Sequence, residues 1–380
     1  MFLIKPALAV QNPASNDPVE FTTHGNLVIE RPVTGKPHAG KVLAAIQPHS
    51  DDIPIFAAGT VAKLLNEGYT GYLIRVTNDD MAGPGSIGNA VLANEVDNNA
   101  VARVLGLQKV FDLNYGNHMI DAISRSELRS RLIFLFRLLK VDTIVCYDPW
   151  AHYDENPDHY ITAHCVEAAC WMAGGAKDFP EHFAAGLKPH AVREKYYFAR
   201  FQQRVNRVVD IGATLERKVD VLLENKAQGP AGEAGARLRK DLAGRGQRLP
   251  LLGNDDTAAN RAYIKEFVLK ADAELGKKYG LQYAEQFHYI GIEKPAVEDY
   301  IKRNALPLYP AAVATGGRRL RTLRCNTPLE ATMLSDFLVH SWPAKSVTRP
   351  PASRTISATA AKSQGVELLS MKASHAPEAT

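Results

Sequence analysis

Residues 42–54 read VLAAIQPHSDDIP, so one imidazole, His49, and two adjacent carboxylates, Asp51 and Asp52, stand directly behind a short apolar run. Imidazole nitrogen and carboxylate oxygen suit zinc, and a catalytic zinc typically takes three protein ligands and keeps a fourth position open for water. A second cluster, AHYDENPDH at 151–159, also follows an apolar run. His49, Asp52 and His159 would together supply three ligands to Zn2+. Asp51, next to a ligand yet pointing another way along the chain, could then take a proton from water at the metal. The same residues admit a plainer reading. Adjacent acids after a strand commonly cap the next helix, and Asp51 or Asp52 could do only that. Asp158, beside Pro157, reads equally well as an N-cap, and His164 and Cys165 as packing or surface residues. His118, in YGNHM, is either a substrate contact or an ordinary loop histidine.

Two clusters so far apart in sequence can meet only if the strands before them are neighbours. From Lys41 the chain alternates apolar β-type runs with segments of helical period, the pattern of successive βα units in a parallel sheet. KVLAAIQ, YLIRVT, KVFDLNY and VDTIVCYDP read as four strands. The intervening helices end at Gly68 and Gly106, and the third starts at Ser124 or Ser126. The first and fourth strands are apolar throughout, as expected of strands covered on both faces. If these two are adjacent, both clusters lie where the strand order reverses, the usual ligand position in an open α/β sheet.

Farther on, a helix follows Asp158 to about Ala173, then the β-type segments REKYYFARF and VNRVVDI and a helix from Thr214 to about Lys226. Residues 229–256 are glycine-rich and charged, which predicts a mobile loop, and a helix over about 257–278 follows. Ser, Thr, Ala and Pro dominate residues 346–380, which predicts disorder there. The domain expectation is an extension over 1–40, a catalytic domain over 41–300 and a largely disordered extension over 301–380. With 46% apolar and 23% charged residues and a net charge of +4, nothing calls for a nucleic-acid or membrane partner. Cys146, Cys165, Cys170 and Cys325 form no CxxC pair, and no run is long and apolar enough to span a membrane. A cytoplasmic location is expected; the sequence leaves the oligomeric state open.

At PHSDDI and NPDH the chain resembles the LmbE-like, or PIG-L, family of zinc-dependent N-deacetylases, whose hallmarks are a His-Pro-Asp-Asp-Glu and a His-Pro-Asp-His element. The likeness runs over roughly residues 41–290, including ARVLGL, VDIGATLERKVDVLLENKAQ and AEQFHYIG. It implies an α/β fold, a Rossmann-like three-layer sandwich with a mostly parallel sheet. It also implies hydrolysis of an N-acetyl group from an amino sugar or glucosamine-containing conjugate. Carried over to this chain, His49, Asp52 and His159 are the ligands and Asp51 the base. Ser50 stands where the family has proline, Ile53 where it has the last acid, and Asn156 where it has an oxyanion-stabilising histidine. Asn156 can donate a hydrogen bond without charge, so His152 is expected to bring the positive charge, and His152→Ala to cost more than Asn156→Ala. Asn117 falls about where members place an aspartate that holds the sugar. The departures at Ile53 and Asn156 leave a second reading, a catalytically reduced binding protein on the same scaffold.

Overall fold

The apolar runs become strands of one sheet in the computed structural model, which describes residues 27–292 and 296–306. Eight strands are formed: β1 (Val28–Glu30), β2 (Val42–Gln47), β3 (Thr70–Thr77), β4 (Val110–Tyr115), β5 (Thr143–Tyr147), β6 (Glu194–Phe198), β7 (Arg207–Asp210) and β8 (Ala284–Ile290). Their order is β1-β7-β8-β6-β5-β2-β3-β4, parallel throughout except for β8, which runs antiparallel to both β6 and β7. Helices cover both faces, as the alternating pattern requires. The expectation of an α/β sandwich with a mostly parallel sheet is met.

The centre of the sheet follows from composition. Leu43, Ala44, Ala45 and Ile46 of β2 and Ile144, Val145 and Cys146 of β5 are inaccessible to solvent, so these strands are buried on both faces. They are also partners: Leu43 pairs with Thr143 and Ala45 with Val145. From β2 the chain proceeds outward through β3 to β4, then returns to place β5 on the other side of β2. The strand order reverses between β2 and β5, and a crevice opens beyond their carboxyl ends.

The helices between these strands start and stop where local chemistry dictates. Ser124 Oγ accepts the Glu127 N–H at the start of helix Arg125–Leu139, which settles the choice between Ser124 and Ser126. Helix Ile87–Leu105 is capped by Ser86 and closed by Gly106 in the left-handed conformation, φ 88°. β8 carries a buried acid, Glu285, whose oxygens accept the N–H groups of Gly59 and Thr60 at the start of helix Ala58–Asn66. That carboxylate also pairs with buried Lys218 at 2.6 Å, and Lys218 with Asp272 at 2.7 Å, so each buried charge has a partner.

The expectation of a loose loop over 229–256 is corrected. The segment contains helix Ala234–Gly244 and the short turn Pro250–Leu252. Gly235 packs it against helix Asp256–Tyr263 so closely that a Cβ there would lie 2.1 Å from the Ala259 carbonyl oxygen. At Gly235, therefore, glycine marks a close backbone crossing. Gly235→Ala should destabilise the fold by about 1–3 kcal/mol through that clash, lowering the midpoint of thermal unfolding. An unchanged midpoint would return the segment to the loose-loop description.

β1 lies within residues 1–40 and pairs with β7. Helix Ala296–Asn304 begins just before residue 301; the rest of the expected C-terminal extension, with Cys325, falls outside the described residues. Cys146, Cys165 and Cys170 are free and buried. Among the described residues, no helix is long and apolar enough to cross a membrane.

Candidate metal centre

His49, Ser50 and Asp51 leave the carboxyl end of β2, and Asp52 opens helix Asp52–Phe56; Asn156 and His159 stand at the start of helix Pro157–Met172, after β5. Because β2 and β5 are adjacent, the two motifs face each other across the reversal point. His49 Nδ1 lies 3.1 Å from His159 Nε2 and 3.6 Å from Asp52 Oδ2, and His159 Nε2 lies 3.6 Å from Asp52 Oδ1. For bonds of about 2.0–2.2 Å, the edges of a tetrahedron are about 3.3–3.6 Å. The two ring nitrogens and the Asp52 carboxylate lie close to that spacing, with one ligand atom from each residue within 4.8 Å of the others, so the three side chains could hold one metal ion. Among the described residues they are the one group of histidine, cysteine or carboxylate side chains so arranged. All three residues are buried.

Each imidazole is held from behind. His49 Nε2 is 3.1 Å from Asp158 Oδ2 and 3.2 Å from Asn117 Oδ1, and His159 Nδ1 is 2.9 Å from Asp154 Oδ2. A carboxylate on the far nitrogen fixes ring orientation and tautomer and leaves the near nitrogen as a lone-pair donor. Asp52 is held as well: Oδ2 accepts the His49 backbone N–H and Oδ1 the Tyr147 hydroxyl, each at 2.8 Å. The Tyr147 ring stacks on His159 with centroids 4.2 Å apart. Burial opposes ionisation of Asp52, but the neighbouring His159 and His49 hold its carboxyl down to about 2. Burial would lower the pKa of His49, yet hydrogen bonds to Asp158 and Asp52 drive it up to about 11. So concentrated an acidic set calls for a cation, and a donor set of two nitrogens and one oxygen is one that a divalent metal fits.

Asp51 stands beside this group without joining it. It occupies the N-cap position of helix Asp52–Phe56, yet its side chain makes no capping hydrogen bond. Burial first, and the charge of Asp52 second, push its carboxyl up to about 7. The backbone of Gly229 crosses directly over it: a Cβ at that position would lie 3.1 Å from Asp51 Oδ2.

The metal-facing atoms open into a cavity of about 250 Å³ lined by Asp51, Asn117, His118, Tyr147, Asn156, Arg200 and Gln228 as well as the three candidate ligands. A larger cavity of about 460 Å³ lies against β4, but it is mostly apolar, and Asp112 and His182 in its lining belong to no three-ligand cluster among the described residues. Asn156 is the true N-cap of its helix, its Oδ1 accepting the Asp158 N–H, so only its amide hydrogens remain to be donated. Asn117 and His118 both reach the cavity. The structure does not bring His152 there: it is exposed, and its backbone is tied to Gln203. The positive side chain that lines the cavity is Arg200, just past β6.

The departures from the family motif have local explanations. Ile53 is fully buried in the core, so no acid is placed at that position. Ser50 donates its N–H to Asp79, a bond that proline could not make, and its hydroxyl donates to Asn94. The roles of Asp154, Asp158 and Tyr147 in holding the ligands, and the presence of Arg200 and Gln228, were not read from the sequence. Asp158 was visible in NPDH but looked like a cap. Arg200 in YYFARF becomes significant only once β6 is known to lie beside β5. Strain marks the same rim: Asp79, His118 and Tyr153, in the loops after β3, β4 and β5, have φ of 58°, 61° and 64°. Such non-glycine left-handed residues gather at functional sites.

Comparison with known proteins agrees with this geometry. Residues 44–170 match the PIG-L family, described as GlcNAc-PI de-N-acetylase. The diacetylchitobiose deacetylase of Thermococcus kodakarensis is 25% identical over 196 residues, half of this chain and 71% of that protein. The N,N'-diacetylchitobiose deacetylase from Pyrococcus horikoshii superposes with a TM-score of 0.53 at 20% identity, covering 68% of this chain and 88% of its own. A conserved protein from Thermus thermophilus aligns with a TM-score of 0.48 at 18% identity, over 71% of this chain and 99% of its own. Both motifs thus lie inside residues 44–170, the segment that matches the PIG-L family, and the chain is similar in sequence to a diacetylchitobiose deacetylase.

Proposed function

We propose that this protein is a zinc-dependent hydrolase that removes an N-acetyl group from an amino sugar or a glucosamine-containing conjugate. The observation that carries the proposal is the convergence of His49 Nδ1, His159 Nε2 and the Asp52 carboxylate within reach of one metal ion, with Asp51 beside them and unengaged as a cap. Two imidazoles in the donor set favour zinc over magnesium or calcium, which prefer oxygen. The choice of substrate is supported by the relatives named as deacetylases of diacetylchitobiose.

Zinc held there supplies a Lewis acid for the acetamide carbonyl and makes water acidic near neutral pH. The protein supplies the rest. Asp51 takes the proton of the attacking water and returns it to the departing amine, for which a carboxyl pushed up to about 7 is well matched. Asp158 and Asp154 keep the two imidazoles oriented throughout. Arg200 and the Asn156 amide line the cavity as donors for the carbonyl oxygen as it gains charge. Asn117, His118 and Gln228 are left to contact the sugar.

The test is amine release from N-acetylated sugars by metal-loaded protein, compared among variants at the cavity rim. Arg200→Ala should lower kcat by about a hundredfold or more, as the loss of an oxyanion donor does, whereas His152→Ala should leave it within about twofold. The reverse ranking would reassign the donor to His152. Absence of amine release from every N-acetylated sugar offered, with metal bound, would replace the hydrolase by a binding protein on the same scaffold.

A further inference from the structure

The cavity beside the candidate ligands, at about 250 Å³, is smaller than the roughly 300–1,000 Å³ usual for small-molecule sites. A glycan longer than one ring must therefore extend over its rim. Two loops form that part of the rim, one after β5 and one after β6, and they supply Asn156 and Arg200 to the cavity. On the same loops stand Tyr153, 82% exposed, and Phe201, 64% exposed. Phenylalanine is normally among the most buried residues and tyrosine intermediate, and Tyr153 also holds a left-handed backbone at φ 64°.

These loops are fixed to the scaffold. Gln203 Oε1 accepts the His152 N–H at 2.8 Å and Gln203 Nε2 donates to the His152 carbonyl, a two-point bridge between them. Behind it, Asp148 accepts the Trp150 N–H and the Gln202 amide, each at 2.9 Å, and the Trp150 ring packs edge-on against Tyr197. Near the two aromatic residues in sequence stand Glu155 and Arg200, whose side chains lie 3.8 Å apart across the two loops. A pyranose presents the complementary surface: an apolar face of C–H groups edged by hydroxyls. Rigid aromatic rings offer such a face contact area at little entropic cost.

We propose that Tyr153 and Phe201 form an accessory sugar-binding platform that takes the second ring of a glycan whose N-acetylated ring occupies the cavity. The proposal rests on the reading of the cavity as an N-acetyl sugar site. The test is calorimetric binding of β-linked N-acetylglucosamine monomer, dimer and tetramer to the metal-loaded full chain carrying Asp51→Asn to block turnover. The dimer and tetramer should bind tighter than the monomer. Tyr153→Ala and Phe201→Ala should each weaken the longer sugars by about threefold to tenfold and leave the monomer unchanged. Tyr153→Trp and Phe201→Tyr should retain the gain, which a general loss of folding would not permit. Affinity independent of length, an equal loss for the monomer, or no binding of any sugar would overturn the platform. Length-independent binding with a concentration-dependent sedimentation shift that Phe201→Ala abolishes would assign the rings to contact between copies of the chain instead. If the parent protein releases no amine while the length dependence and its loss are both seen, the platform stands and deacetylation falls.

Discussion

His49→Ala and His159→Ala should each purify with little bound metal and no measurable hydrolysis, where the parent chain holds about one equivalent. The expectation follows from the donor count: three side chains, each with a ligand atom within 4.8 Å of the others, describe one mononuclear site, and removing one imidazole leaves an Asp and a single His. Two-ligand sites of that kind do not retain zinc at ordinary concentrations. His159 also stacks on Tyr147, so its truncation opens space in a packed layer. A control is therefore needed to separate metal loss from misfolding. Asp154→Asn keeps the volume but removes the carboxylate 2.9 Å behind His159. It should weaken metal binding by about tenfold to a hundredfold while the chain stays folded. Elemental analysis with thermal melting reads both. Full metal occupancy in the two histidine variants would exclude these residues as ligands.

Asp51→Asn should keep the metal and lower turnover by about a hundredfold to ten-thousandfold, equivalent to about 2.7–5.4 kcal/mol in the barrier. The amide has the shape of the carboxylate but cannot accept a proton at neutral pH. The competing role, that of a helix cap, makes the opposite forecast of lost stability with intact chemistry. Asp51 occupies the cap position without a capping hydrogen bond from its side chain. The melting temperature of Asp51→Asn should accordingly change little. Near-normal turnover on a substrate the parent cleaves would end the assignment of Asp51 as base.

Much of this site was legible in the chain itself. Residue type fixes what can bind a metal, and His49, Asp52 and His159 are of types that can. The all-apolar runs of β2 and β5 reveal strands buried on both faces, and burial of that kind belongs to the middle of a parallel sheet. The helix end at Gly106 and a helix start at Ser124 or Ser126 were legible because each depends on chemistry within a few residues.

What the sequence left undecided depends on contacts between distant segments. Asp158 has the spacing of a helix cap, and only the approach of β2 to β5 turns it toward His49. Arg200 rather than His152 lines the cavity because β6 pairs with β5 and ends there, whereas the His152 backbone is bound to Gln203. Gly235 shows the same limit in packing. A glycine-rich stretch specifies freedom of the backbone, but whether that freedom serves motion or a close helix crossing is decided by what lies opposite, here the backbone of Ala259. Local composition determined which groups could do chemistry; the strand order, set by long-range burial, decided which of them meet.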